Sequence, residues 1–210
     1  MSISPQYIPA FLEAISKDIE ANADEVTALD QAIGDGDHVA NLQRGLDALK
    51  KLADELVEMD WSAALMKIGM TLMSTMGGAS GSLYGSLFVA MGKTARETDF
   101  NAQGFAEIFR AGVESVKARG KADLGEKTML DTLIPVSQSL EENAGTAPAE
   151  LSEVVKKTAY EGMLSTKDML ATKGRASFLG ERARGHIDAG ARTSQLMICA
   201  IADVIEDSGK

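Results

Sequence analysis

Cysteine occurs once in the 210 residues, at Cys199, which excludes an intramolecular disulfide framework. It lies in the run Leu196-Met197-Ile198-Cys199-Ala200-Ile201 and is expected to act as a small buried hydrophobe. Aromatic residues make up only 5% of the chain, and alternating β-branched runs are scarce, so little is present from which to build strands. No uninterrupted apolar stretch approaches the roughly 18 residues of a membrane helix. The opening MSISPQYIPA has neither the basic nor the apolar part of a secretion signal, so a cytoplasmic protein with no membrane partner is expected. Basic side chains are outnumbered 21 to 31, for a formal net charge of −10. That balance argues against nucleic acid or an anionic membrane surface as the main partner. It leaves room for a small phosphorylated ligand, because local charge can oppose net charge.

Methionine, leucine, alanine and glutamate dominate, a composition that favours helix. With 45% hydrophobic and 25% charged residues, the chain reads as a single globular domain over 1–210. Helical faces recur at Ile8, Phe11, Leu12, Ile15 and Ile19, with Pro9 in the first turn, and again over Ala23 to about Leu29. Further faces run through Leu42–Leu52, Trp61–Leu72, Leu83–Met91, Phe105–Val116, Met129–Leu140 and Leu151–Leu164. The last helix is expected from about Thr193 to Glu206, giving about eight helices and no strand. Pro135 should kink its helix. The stretch Thr172–Ala191, rich in glycine and arginine, reads as a functional loop, since a plain connection of that length is unusual.

Three glycine-broken segments carry unusual polar content. The first is Asp30-x4-Asp35-Gly36-Asp37-His38. Three carboxylates on one turn repel one another unless a cation compensates, and Mg²⁺ or Ca²⁺ prefers such oxygen ligands. An EF-hand is excluded, because Ala40 stands where its loop, counted from Asp35, needs glycine. On chemistry alone two readings stand: a divalent metal site, or a solvated acidic turn with Asp37 as helix N-cap. His38 is disfavoured as a Mg²⁺ ligand because that ion selects oxygen.

The second segment is Met76-Gly77-Gly78-Ala79-Ser80-Gly81. Small residues entering a helix leave free N–H groups for phosphate, although a glycine-rich junction also serves plain packing. It is not a P-loop: Gly92-Lys93-Thr94 has Leu87 where the first glycine belongs. The third segment runs from Lys173-Gly174-Arg175 through Gly185-His186 to Asp188-Ala189-Gly190-Ala191, and concentrates cations in an acidic protein. Arginine suits phosphate. Arg184 and Arg192 read as exposed loop charges, and His186 as a loop-ordering hydrogen bonder.

Together with Arg119-Gly120-Lys121-Ala122 and Glu126-Lys127-Thr128-Met129, these segments closely resemble, in order and over nearly the whole chain, the L subunit of dihydroxyacetone kinases. The resemblance implies an all-α fold, an eight-helix antiparallel barrel holding ADP or ATP and two Mg²⁺ ions at one end. It implies Asp30, Asp35 and Asp37 as metal ligands. It places phosphate on His38, Val39, Ala40, Asn41, Ala79 and Ser80, adenine beside Gly120 and Met129, and the remaining edge at Arg175, Asp188, Ala189 and Gly190. Ala189 departs from an expected proline, which should loosen that turn slightly.

No covalent catalytic residue is implied on this chain. Free L subunits work with a dihydroxyacetone-binding K subunit and a phosphohistidine donor protein of the phosphotransferase system. The chain has no K part, which favours that coenzyme mode. Three alternatives stand beside it: an ATP-dependent subunit of a related triose or tetrose kinase, a nucleotide-loaded partner of a transcription regulator, and a plain helical scaffold.

Overall fold

The computed structural model describes residues 4–208. Among them the chain is entirely helical, with no strand. The main helices are α1 (Ile8–Ala21), α2 (Ala23–Ile33), α3 (His38–Lys50), the short α4 (Ala53–Leu56), α5 (Trp61–Thr75) and α6 (Gly78–Thr94). They continue with α7 (Ala102–Gly120), α8 (Leu130–Asn143), α9 (Pro148–Ser165) and α10 (Ala189–Asp207). Local chemistry explains several starts. Proline stands in the first turn of α1 and α9, where a missing N–H costs nothing. Asp60 accepts the Ala63 N–H at 2.7 Å to cap α5, Asn101 caps α7 through Gly104 at 3.0 Å, and Asp188 caps α10 through Ala191 at 2.8 Å.

Each helix buries the face its spacing marks. Ile8, Leu12, Ile15 and Ile19 of α1 are all buried, each contributing about 1.5–3 kcal/mol on leaving water. The packing order closes on itself. α5 lies on α6, α6 on α7, α7 on α8, α8 on α9 and α9 on α10; α10 then meets α1, α1 meets α3, and α3 meets α5. Glycines allow a close approach between α5 and α6. A Cβ at Gly69 would stand 2.7 Å from the Gly85 carbonyl oxygen and 2.8 Å from the Val89 nitrogen, distances that no side chain could occupy. Pro135 lies inside α8 without ending it. It withdraws the donor that would have met the Asp131 carbonyl, and α9 packs against that carbonyl through Gly162, whose Cβ would come within 2.4 Å of it.

The 172–191 stretch differs from the expected loop. The chain makes a short 3₁₀ turn at Thr166–Asp168 and a 3₁₀-helical strap over Arg175–Ala183, interrupted at Gly180. α10 then begins at Ala189, four residues before the anticipated Thr193. The start escapes periodicity because Ala189, Gly190 and Ala191 offer no large apolar face. Ala189 begins the helix normally, under the Asp188 cap. Ala176 and Ala183 of this strap, with Ala171 before it, form a small separate core with Ile33 of α2, backed by Leu179.

Two further expectations need correction. Cys199 is only half-buried, its sulfur accepting from Gln195 Nε2 at 3.2 Å. Arg192 is no exposed loop charge: from α10 it bonds Glu25 at 2.7 Å and Asn22 at 3.0 Å, and so bolts α2 to α10. Three cations in and beside the strap are paired, and Arg184 is exposed as expected. Lys173 pairs with Glu126 at 3.4 Å, Arg175 with Asp35 at 2.7 Å and Arg184 with Glu181 at 2.9 Å.

Candidate functional site

The end of α2, the start of α3 and the strap meet at the acidic turn. Asp30 stands on α2, and Gly34 and Gly36 break the helix so that the chain can double back into α3. Gly34 has a second duty: a Cβ there would lie 2.1 Å from Asp30 Oδ1, so any side chain would displace that carboxylate. Gly36 takes a left-handed φ of 77°, which glycine adopts without penalty. The outcome is that one carboxylate oxygen each from Asp30, Asp35 and Asp37 gathers within 4.8 Å of the others. Asp37 does occupy the N-cap position of α3, yet its side chain makes no capping bond. Instead Asp30 Oδ2 accepts the His38 N–H at 3.1 Å. Among the described residues, Arg175 supplies the ion pair to this trio, through Asp35, which leaves two of three negative charges uncompensated. An oxygen-only donor set with excess negative charge suits a hard divalent cation.

Directly behind the turn, three helix N-termini converge on one imidazole. His38 opens α3 and is buried. Its Nδ1 meets Ser80 Oγ of the first turn of α6 at 3.2 Å. Its Nε2 meets Thr193 Oγ1, near the start of α10, at 2.9 Å. The Thr193 hydroxyl has one proton and gives it back along its own helix, to the Ala189 and Gly190 carbonyls at 3.1 and 3.2 Å. With that proton on its own helix, Thr193 accepts from Nε2–H and Nδ1 accepts the Ser80 proton, the tautomer in which each of these groups has a partner. Burial holds the imidazole below its ordinary pKa, against the pull of Asp30, Asp37 and Asp35. This side chain is a strut, and it is not turned to a metal. Ser80 is thereby oriented, while Ala79 beside it is exposed at the unpaired N–H groups of the first turn of α6.

Each remaining predicted residue has its place. Val39 is buried in the core, so only its backbone is free to serve a ligand, and Ala40 is exposed. Asn41 is buried, accepts from Arg44 at 3.0 Å and fills the space beside Gly77, whose Cβ would come within 2.6 Å of it. Gly120 ends α7 beside Leu83 of α6. Met129 is buried against Gly190, where an added Cβ would stand 3.4 Å from Met129 Cβ. Asp188, Ala189 and Gly190 form the cap and first turn of α10. All of these lie at one end of the helix set. Sequence reasoning missed Thr193 and the loop-holding groups Asp131 and Lys127. Asp131, fully buried, accepts from Gly125 and Thr128 N–H groups at 2.5 and 2.8 Å. A hydroxyl in a helix and a lysine in a loop give no signal of such roles. His186 orders its loop through its backbone carbonyl, which Lys127 bonds.

Burial pushes the Asp188 carboxyl up to about 6 from 3.8, partly offset by the bond from Ala191 and by Lys127. An acid with a raised folded-state pKa holds its proton longer in the folded chain. Its contribution to stability is therefore complete below about pH 4 and is lost as pH rises through about 6. Asp188→Asn keeps a capping oxygen and removes this titration. The unfolding free energy of the wild type should fall relative to the variant across that window, by up to about 3 kcal/mol at roughly 1.4 kcal/mol per pKa unit. Urea titrations of both proteins from pH 4 to 7.5 would show it, and parallel curves would contradict it.

The DAK2 domain family matches residues 32–203. The chain is 39% identical over 201 residues to the ADP-binding subunit DhaL of PEP-dependent dihydroxyacetone kinase 1 of Listeria innocua, covering 96% of this chain and 97% of that protein. It is 36% identical over 206 residues to the corresponding PEP-dependent subunit of Escherichia coli, covering 96% of this chain and 98% of that one. Identity to an L-erythrulose kinase of Pectobacterium atrosepticum is 30%, over 94% of this chain and 34% of that protein. In fold, the chain superposes on the dihydroxyacetone kinase of C. freundii, solved with AMP-PNP and Mg²⁺, with a TM-score of 0.75 at 23% identity, covering 97% of this chain and 34% of that one.

Proposed function

This chain belongs to the DAK2 domain family, and on that premise we propose that it is the nucleotide-holding subunit of a phosphotransferase-system-dependent dihydroxyacetone kinase. The observation that carries the proposal is the meeting of opposite electrostatics at one end of the helices. Three N-termini, each with a partial positive charge, converge behind three gathered carboxylates. A nucleoside diphosphate with Mg²⁺ satisfies both, since metal lies against the carboxylates and phosphate against the N–H groups.

Asp30, Asp35 and Asp37 would hold two Mg²⁺ ions, with His38–Asn41 and Ala79-Ser80 lining the phosphates. Gly120 and Met129 would flank the adenine, and Asp188–Gly190 the remaining edge. The closed packing order of the eight helices α1, α3 and α5–α10 supports a barrel closed at this end by the strap. A nucleotide held by these residues would act as the carrier of the phosphoryl group: as ADP it would take the group from a phosphohistidine protein, freeing that histidine, and as ATP it would pass the group to a hydroxyl of dihydroxyacetone on a K subunit, returning to ADP. The residues here contribute charge and position and no covalent step, the usual division in phosphoryl transfer. Arg175, now on Asp35, stands where metal binding would free it for phosphate. Identity of 36–39% with the Listeria and Escherichia coli ADP-binding subunits, against 30% with the erythrulose kinase, supports the coenzyme mode.

The test is reconstitution. Phosphoenolpyruvate-driven formation of dihydroxyacetone phosphate, with the K subunit and the donor proteins present, should require this chain and catalytic ADP only. Undiminished formation without it would reject the proposal, and a need for stoichiometric ATP would reject the coenzyme mode.

A further inference from the structure

Lys127 is 1% exposed, and lysine is almost never so buried unless its charge is compensated. Its ammonium donates to the backbone carbonyls of Thr166 at 2.5 Å, His186 at 2.5 Å and Lys167 at 3.4 Å. Burial lowers its pKa, while Asp188, Asp168 and Asp131 favour the charged form. The residue also takes a left-handed φ of 61°, a conformation that L side chains rarely adopt. A buried cation on strained backbone persists only where the surroundings determine it.

Its three acceptors share one feature. All lie in the connection between α9 and α10, whereas Lys127 lies in the loop between α7 and α8. Immediately beyond the loop stands Met129; immediately beyond His186 stand Asp188–Gly190. These two edges touch where Met129 lies against Gly190. A second tie has the same sense, for Glu126 Oε1 accepts from Thr172 Oγ1 at 2.8 Å. A third secures the far side, with the Asp188 N–H donating to Thr166 Oγ1 at 3.0 Å. The acidic turn takes no part in these bonds, since it hangs from α2 and α3.

We propose that Lys127 is a positioning residue for the base side of the nucleotide: it holds the α9–α10 connection on the α7–α8 loop and so sets the spacing between Met129 and Gly190. The inference rests on the nucleotide reading above. It bears unequally on the two halves of the ligand: Met129 and Gly190 meet at the junction Lys127 makes, whereas of the residues proposed above for the phosphates only Arg175 belongs to the connection it holds, and His38–Asn41 and Ala79-Ser80 stand on α3 and α6. A residue serving stability alone would weaken both halves together.

Lys127→Met keeps length and apolar stem and removes the three donated bonds. Its affinity for ADP with Mg²⁺ should fall about tenfold or more, while its affinity for inorganic pyrophosphate with Mg²⁺ stays within about twofold. Calorimetric titration of both ligands into both proteins reads this out. Because a buried change of this kind can unfold a chain, Thr172→Val provides the second variant. It is an exposed position, leaves Lys127 and its acceptors in place and loosens the same junction by the Glu126 bond, so a smaller but equally selective loss of ADP affinity is expected. Equal losses of ADP and pyrophosphate, or no loss of either in a folded variant, would overturn the inference. Failure of the wild type to bind either ligand would overturn the nucleotide reading itself, and this inference with it.

Discussion

Replacing Asp37 with alanine is expected to abolish Mg²⁺-dependent ADP binding and to leave the helical circular-dichroism signal unchanged. The two halves of that expectation have separate causes. Asp37 is exposed and, although it stands at the N-cap of α3, makes no capping bond. The fold therefore loses nothing specific, and exposed substitutions of this kind usually stay within about 0.5 kcal/mol. The site loses one of three carboxylates whose oxygens gather within 4.8 Å. With the ion gone, the remaining carboxylates face the phosphates directly. Loss of two to three orders of magnitude in affinity follows from about 3–4 kcal/mol at 1.4 kcal/mol per decade. Asp35→Ala should act similarly, with one difference: it also releases Arg175 from its 2.7 Å pair, so part of the phosphate affinity should survive without metal. Equilibrium dialysis with ADP, with and without Mg²⁺, measures both variants. Undiminished Mg²⁺-dependent retention in each would refute the ligand assignment.

ADP with Mg²⁺ should raise the melting temperature of the wild type by about 5–10 °C at a hundredfold excess over Kd. A ligand confined to the folded state adds RT ln(1 + [L]/Kd), about 2.7 kcal/mol at that excess. For a domain near this size each kcal/mol shifts the midpoint by about 2–4 °C. The strap contributes to the expectation. Phe178 at its centre is 88% exposed, and beneath the strap lies only the small cluster of Ile33 and three alanines. Such a segment opens at little cost, and a ligand against Arg175 and Asp188–Gly190 would hold it closed. ADP with a chelator should produce a much smaller shift. Equal shifts with and without the metal would contradict the joining of carboxylates to phosphates through Mg²⁺.

The clearest features in the sequence are those with local causes. Ile8, Leu12, Ile15 and Ile19 announce α1 because a helix repeats its buried face every three to four residues. The Asp30–Asp37 turn is conspicuous because three like charges around two glycines have few structural uses. The start of α10 is far less legible. Asp188-Ala189-Gly190-Ala191 has no apolar face, and its helical state depends on a cap at Ala191 and on Thr166 holding the Asp188 N–H. Arg192 likewise reads as a loop charge until α2 arrives with Glu25, a partner 167 residues distant in sequence.

The sequence by itself determined the helical class, most helix positions, the acidic turn and the small-residue entry to α6. Each follows from composition, period or steric freedom within a few residues. Only the tertiary structure decided that Ser80 and Thr193 share the two nitrogens of His38, that Arg175 rests on Asp35, and that Lys127 is buried among carbonyls of a distant connection. Those facts are pairings of hydrogen-bond donors and charges across 39 to 155 residues of chain. Desolvation made those of His38 and Lys127 obligatory. A buried imidazole or ammonium must find partners, but which partners lie within reach depends on how the helices pack, and no local pattern carries that information.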